Sequence, residues 1–183
     1  VLIVDSDTVS RSNLPRQIFY TTEDLGEKKA LLAARRLKAC NPHCTLTTST
    51  ERLSPTNAHQ LLSGKDLILD ATDNEEARRL IDSVAREAGQ HWLYTSIDGW
   101  CGQVALFPPE GKGYCDLFPE LPSPPEGLEA SSSPIPVISS TPALLGSIAG
   151  AEALKYLLGL ATLLSDHLLL VDSLHWSFQL LKR

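Results

Sequence analysis

Asp5, Asn13, Arg16, Gln17 and Lys29 all fall within the first thirty residues of a 183-residue chain, and their types and order suit one kind of ligand. The apolar run Val1–Val4 reads as a short buried strand. Asp5 follows at its carboxyl end, the edge of an open α/β sheet where ligands bind. A carboxylate there accepts the hydroxyls of a ribose or caps a turn. Asn13 brings an amide, Arg16 a planar fork for phosphate oxygens, and Lys29 a compact ammonium at the start of a helix. With Gln17 beside Arg16, this is a set suited to a nucleoside triphosphate. Asp7 is a weaker member that shapes the turn. Lys28 is the neighbouring alternative to Lys29, and counting D-x-G-x-x-K from Asp24 selects Lys29.

A second acidic group follows the apolar run Leu67–Leu69. In the sequence DATDN, Asp70 and Asp73 lie at a strand end, where a carboxylate can hold Mg²⁺, an ion that takes few protein oxygens alongside phosphates and water. Asp73 also reads as a helix cap. Asn74 belongs to the nucleotide-binding set or caps the next helix. Arg78 reads either as part of the motif or as a surface helix arginine. The five histidines are scattered, with no metal spacing and no paired acid.

The motifs VDSDTV (Val4–Val9), SNLPRQ (Ser12–Gln17), DLGEKKA (Asp24–Ala30), DATDN (Asp70–Asn74), GQV (Gly102–Val104), LFPE (Leu117–Glu120) and AGAEALKYLLG (Ala149–Gly159) resemble, in that order, those of the ThiF/MoeB/HesA superfamily of ubiquitin-activating-enzyme-like adenylating proteins. The resemblance implies ATP and Mg²⁺ as ligands. It gives Asp5 to the ribose, Asn13 to the adenylation site, Arg16 and Lys29 to the triphosphate, and Asp73 to the metal. It implies as reaction the adenylation of the carboxyl-terminal glycine of a ubiquitin-like sulfur carrier with a Gly-Gly tail, as in thiamin or molybdopterin synthesis. It also implies a homodimer. Adenylation of a peptide terminus or a modified tRNA base is the alternative within the same class. An inert ThiF-like scaffold that binds a partner is the alternative outside it, and retention of five site residues together argues against it.

Many relatives bind structural zinc through two CxxC pairs. Here Gly113 and Asp116 stand at the ligand positions before LFP, so no zinc is expected. Cys115 does not align with the family's loop cysteine, and the reaction is expected to stop at the adenylate. The four cysteines point to no disulfide framework, and a reduced, cytoplasmic setting is the default. The net charge of −6 argues against a nucleic-acid surface. No apolar run is long enough to span a bilayer.

These groups need elements to hold them. Helical spacing marks Gly26–Cys40, with Ala30, Leu31, Ala34 and Leu37 inward, then Glu75–Ala88 and Thr141–Leu158. Strands are expected at Cys44–Thr50, Asp66–Leu69, Trp92–Ser96 and Gln103–Phe107, with a closing antiparallel pair at His167–Val171 and Leu174–Leu181. Residues 108–142 hold most of the twelve prolines and read as a long loop. The alternation of strand and helix up to residue 97 predicts a single Rossmann-like α/β domain over 1–183. Its sheet is expected to be mostly parallel and flanked by helices, with an antiparallel carboxyl-terminal extension. The chain contains no Met and opens inside a strand. It therefore reads either as a fragment or as a chain with residues left out, and the resemblance implies a glycine-rich strand–turn–helix unit just upstream of Val1.

Overall fold

In the computed structural model, which describes residues 1–119 and 137–183, the chain divides into two compact units, Val1–Leu61 and Leu62–Arg183. In the first, β1 (Leu2–Val4) and β2 (Thr47–Ser49) pair in parallel, with Leu2 opposite Thr47. The crossover that a parallel pair requires is supplied by α1 (Lys29–Cys40), which packs on both strands. The helix begins at Lys29 because Gly26, at φ +87°, makes a left-handed turn that a side chain would strain. Residues 7–9 then pair with residues 26–29: Val9 N–H donates to the Glu27 carbonyl and Gly26 N–H to the Val9 carbonyl, both at 2.9 Å. Ala30 and Leu32 are buried and Leu31 is exposed, so the inward stripe runs through Leu32. A short helix, α2 (Ala58–Leu62), ends at the boundary.

The second unit holds a five-stranded sheet in sequence order: β3 (Ile68–Leu69), β4 (Trp92–Asp98), β5 (Cys101–Phe107), β6 (His167–Asp172) and β7 (Ser177–Lys182). Only β3 and β4 are parallel, joined by the crossover helix α3 (Glu75–Glu87); β4–β5, β5–β6 and β6–β7 are all antiparallel. This corrects the mostly parallel sheet expected from the alternation. The smaller two-stranded sheet is parallel, but the larger is mixed and mostly antiparallel. The physical reason lies at Gly99. Asp98 pairs with Cys101 across the two residues Gly99 and Trp100, and Gly99 takes φ +59°. A two-residue connection can only reverse the chain, whereas a parallel return needs a dozen residues or more. A two-residue loop with glycine at its first central position, here Gly99, is itself a hairpin signal. The antiparallel part is therefore the body of the sheet, not an extension of it.

Side chains alternate across this sheet. On one face Leu93, Val104, Leu106 and Val171 form a core with Leu145 and Ala153 of α5 (Ser140–Leu157) and with Leu164. The helix approaches closely at Gly102, where a Cβ would come within 2.8 Å of the Leu145 side chain. On the opposite face Trp92 stacks on Phe107 at 5.0 Å. Tyr94 meets Tyr114 and Phe118, at 5.4 and 5.7 Å, from the short helix α4 (Tyr114–Leu117) and the residue after it. Buried Asp82 of α3 ties this face down, accepting from Trp92 Nε1 at 3.1 Å and from the Tyr114 N–H at 3.2 Å. The expected loop over 108–142 contains α4, and its residues 120–136 lie outside the described residues.

Candidate functional site

In the first unit the chain leaves β1 with the Asp5 N–H bonded to the Ser49 carbonyl at 3.1 Å. Asp5 Oδ1 accepts the Asp7 N–H at 2.9 Å, a local turn, and its other oxygen takes no hydrogen bond among the described residues. The turn aims Asp7 at the start of α1, where Asp7 Oδ2 receives Lys29 Nζ at 2.9 Å. Lys29 keeps only 7% of its side chain exposed while Asp7 keeps 68%, so a buried ammonium is held by an acid that faces solvent. Lys28 is placed differently, with Nζ on the Ser6 carbonyl at 2.6 Å. Asp5 and Lys29 are thus brought together through Asp7, which does more than shape a turn.

Asn13, Arg16 and Gln17 lie in the following turn. Asn13 is buried; its Oδ1 accepts the Ser10 N–H at 3.2 Å, and its carbonyl accepts the N–H groups of Arg16 and Gln17. Arg16 Nη1 donates to the Ser12 carbonyl at 2.8 Å, which leaves most of its donors unengaged among the described residues. Gln17 Oε1 is buried without a partner among them. Tyr20 joins this turn to the helix: its N–H bonds the Gln17 carbonyl and its hydroxyl bonds the Lys29 carbonyl at 3.2 Å. Asp24 anchors the return. It accepts the Thr21 N–H at 2.7 Å and the Arg36 guanidinium, and these, the Thr21 N–H foremost, hold its carboxyl below the usual carboxylate range against the opposing effect of burial.

In the second unit Asp70 stands at the end of β3 with its side chain fully buried. Its Oδ1 accepts the Thr72 N–H at 2.8 Å and its Oδ2 faces Arg78 Nε at 3.4 Å. Burial pushes the Asp70 carboxyl up, partly offset by Thr72 and Arg78. Arg78 also donates from Nη2 to the Thr72 carbonyl at 2.6 Å and lies 5.3 Å over the Tyr94 ring. It is a loop anchor, not a surface arginine. The loop so held carries Asp73 outward, exposed and without a hydrogen bond or ion pair among the described residues. Asn74 Oδ1 caps α3 through the Ala77 N–H at 2.8 Å, leaving only its amide nitrogen for a ligand. A carboxylate clear of protein partners at a strand end fits Mg²⁺, which keeps several waters and completes its shell with phosphate oxygens.

Because β4 runs parallel to β3, its Asp98 end and the Asp70–Asn74 loop lie at the same end of the sheet. There an open groove of about 460 Å³ is lined by Ser96, Asp98, Cys101, Gln103, Asp172 and Gln179. Gln103, one of the lining residues, accepts the Tyr94 hydroxyl at 3.0 Å. Gly113 and Asp116 close a turn, Asp116 Oδ2 accepting the Gly113 N–H at 2.7 Å, with Arg86 against it. The Cys115 thiol is pushed up by burial and by Asp82, which disfavours its nucleophilic form. No helix among the described residues is long and apolar enough to cross a membrane.

Comparison with known proteins agrees with the family resemblance. The model of the ThiF family matches residues 1–183. The chain is 42% identical over 183 residues to a "Sulfur carrier protein adenylyltransferase" of Thermus thermophilus, covering 97% of this chain and 67% of that protein. It is 33% identical to a "SAMP-activating enzyme E1" of Haloferax volcanii, covering 98% of this chain and 66% of the relative. Against a "Probable adenylyltransferase/sulfurtransferase MoeZ" of Mycobacterium tuberculosis the identity is 37%, over 97% of this chain and 46% of that one. The chain therefore spans between under half and about two thirds of the length of these relatives. Among solved structures, E. coli MccB with MccA-N7isoASN superposes at a TM-score of 0.87 over 99% of this chain and 56% of that one, at 15% identity, a likeness of fold.

Proposed function

The chain belongs to the ThiF family, and from that membership we propose that it is the adenylating part of an ATP-dependent adenylyltransferase acting on the carboxyl-terminal glycine of a ubiquitin-like sulfur-carrier protein. The observation that carries this reading is the 42% identity to the Thermus thermophilus protein, whose name states both the reaction and the acceptor class. The motif residues differ in how far they are already engaged: Asp73 is exposed, whereas Lys29 is held by Asp7. Asp5 retains one carboxylate oxygen for a ribose hydroxyl. Arg16 and Lys29 supply positive charge to the triphosphate, and Asn13 and Gln17 supply amide groups beside them. The family likeness also implies a homodimer, and the four unpaired cysteines favour a reduced, cytoplasmic setting.

The reaction follows from these groups. A glycine carboxylate oxygen bonds to the α-phosphorus of ATP as the bond from that phosphorus to the bridging oxygen of the β-phosphate breaks. Pyrophosphate leaves with the electron pair, and the acyl-adenylate remains. Asp73 would hold Mg²⁺, which when bound neutralises charge on the phosphates, and the Asn74 amide nitrogen would donate to the nucleotide. The protein's own part is orientation and electrostatic stabilisation: Arg16 and Lys29 meet the charge that collects on the departing pyrophosphate. Lys29 is already desolvated and fixed by Asp7, so it needs little reorganisation to do this. The groove over Gln103 and Ser96 can take an extended, small-residue tail at the same sheet end as Asp73.

Trapping tests the reading. The full-length protein is incubated with ATP, Mg²⁺, hydroxylamine and a Gly-Gly-ended carrier. The expected product is a hydroxamate at the carrier's terminal glycine, seen by intact mass and absent when the tail is truncated. Hydroxamate formed on a free peptide or a tRNA but never on a carrier would replace the carrier with that acceptor.

A further inference from the structure

We propose that Arg78, together with Asp70, is a positioning residue that presets Asp73 for the divalent ion, acting through the backbone of Thr72. The inference rests on the adenylation reading for what Asp73 does, and on geometry for how it is held. Five residues, Asp70 to Asn74, join β3 to α3, and both polar backbone groups of the central one are taken. Thr72 N–H goes to Asp70 Oδ1 at 2.8 Å, and the Thr72 carbonyl goes to Arg78 Nη2 at 2.6 Å. Arg78 Nε returns to Asp70 Oδ2 at 3.4 Å, so the two side chains close a ring around the residue immediately before Asp73.

Each member is itself fixed. Asp70 N–H is bound to the Leu93 carbonyl at 2.9 Å, which keys the acid to β4. Arg78 sits on α3, one turn beyond the Asn74 cap, with 12% of its side chain exposed. Its guanidinium lies over Tyr94, whose hydroxyl is on Gln103. The fork geometry matters here. Only a planar group with several donors reaches the Thr72 carbonyl and Asp70 together while lying flat on an aromatic ring. A lysine supplies the charge but not the bridge. In metal sites, groups that orient a ligand without touching the ion typically change affinity 10- to 100-fold when removed.

The test uses the full-length protein with Mn²⁺ as the spectroscopic probe and a non-hydrolysable ATP analogue. Electron paramagnetic resonance reads Mn²⁺ affinity in the nucleotide complex, and a parallel titration reads nucleotide binding without metal. In Arg78→Met the Mn²⁺ affinity is expected to fall about 10- to 100-fold, with metal-free nucleotide affinity within about twofold. Arg78→Lys, which keeps the charge and so protects the fold against an unpaired Asp70, is expected to recover only part of the loss. Asp73→Ala sets the floor. A folded Arg78→Met, or a folded Arg78→Lys if the first does not fold, with unaltered Mn²⁺ affinity overturns the inference while a weakened Asp73→Ala leaves the adenylation reading standing. Absence of nucleotide-dependent Mn²⁺ binding in the unaltered protein overturns both.

Discussion

The two units hold polar groups in place by opposite means. In Val1–Leu61 charged groups are fixed mainly by other polar groups: Lys29 by Asp7, Asp24 by Thr21 and Arg36, Asn13 by the Ser10 backbone. Its buried apolar residues are few and small, chiefly Val9, Ala30, Leu32, Ala58 and Leu61. In Leu62–Arg183 the polar groups are braced against large side chains. Asp82 sits under Trp92, and Arg78 lies on Tyr94. The difference teaches that substitutions in the first unit change local geometry, while substitutions beneath the site in the second also unload a core. An exposed residue carried by either scaffold is separable from stability.

Asp73→Ala is the largest expected effect. Adenylation falls about 10²–10³-fold, with the melting temperature nearly unchanged because the side chain is exposed and has no hydrogen bond or ion pair among the described residues; steady-state kinetics alongside calorimetry check it. A large loss of stability there would erase the separation drawn between a site residue and its scaffold. Next comes Trp92→Ala, which removes a buried ring and the donor to Asp82. A loss of about 3–5 kcal/mol is expected in urea unfolding, and a loss under 1 kcal/mol would mean that the aromatic face is not the brace it is taken to be. Asn74→Ala is milder, about 1 kcal/mol of stability from a lost helix cap. Its effect on nucleotide affinity, read by calorimetric titration, shows whether the amide nitrogen serves the ligand as well.

The smallest signal sharpens the contrast most. Asp24 has a lowered carboxyl pKa, so its contribution is present above the unfolded value of about 3.9 and is lost as pH falls through the lower folded value. Asp70 has a raised one. Its contribution is present below about 3.9 and declines as pH rises through the higher folded value. The melting-temperature difference between the wild type and Asp24→Asn should therefore shrink on acidification, and that for Asp70→Asn should grow. The same pH trend in both would remove the distinction between the units.

The sequence was most legible where chemistry and local structure coincide. Asp5 at a strand end and the Asp70–Asn74 turn follow from short-range rules, and the structure has them at those positions, while the helix expected from Gly26 starts three residues later, at Lys29. Strand direction was not legible from alternation alone. A helix between two strands dictates a parallel pair, but the pairs that follow depend on turns, and the Gly99 hairpin reversed the chain where the alternation was read onward. The anchoring roles of Asp7 and Arg78 were hidden for a related reason. A charged residue's partner, Lys29 in one case and Asp70 with Thr72 in the other, is set by folded geometry that spacing does not display.

The central claim is adenylation of a carrier's terminal glycine, and ATP–pyrophosphate exchange tests it most directly. The full-length protein is supplied with Mg²⁺-ATP and labelled pyrophosphate, with and without a Gly-Gly-ended carrier. The account predicts label entering ATP only when the carrier is present, and its disappearance in Asp73→Ala. Label that never enters ATP with any carrier, while Mg²⁺-ATP still binds, would contradict it.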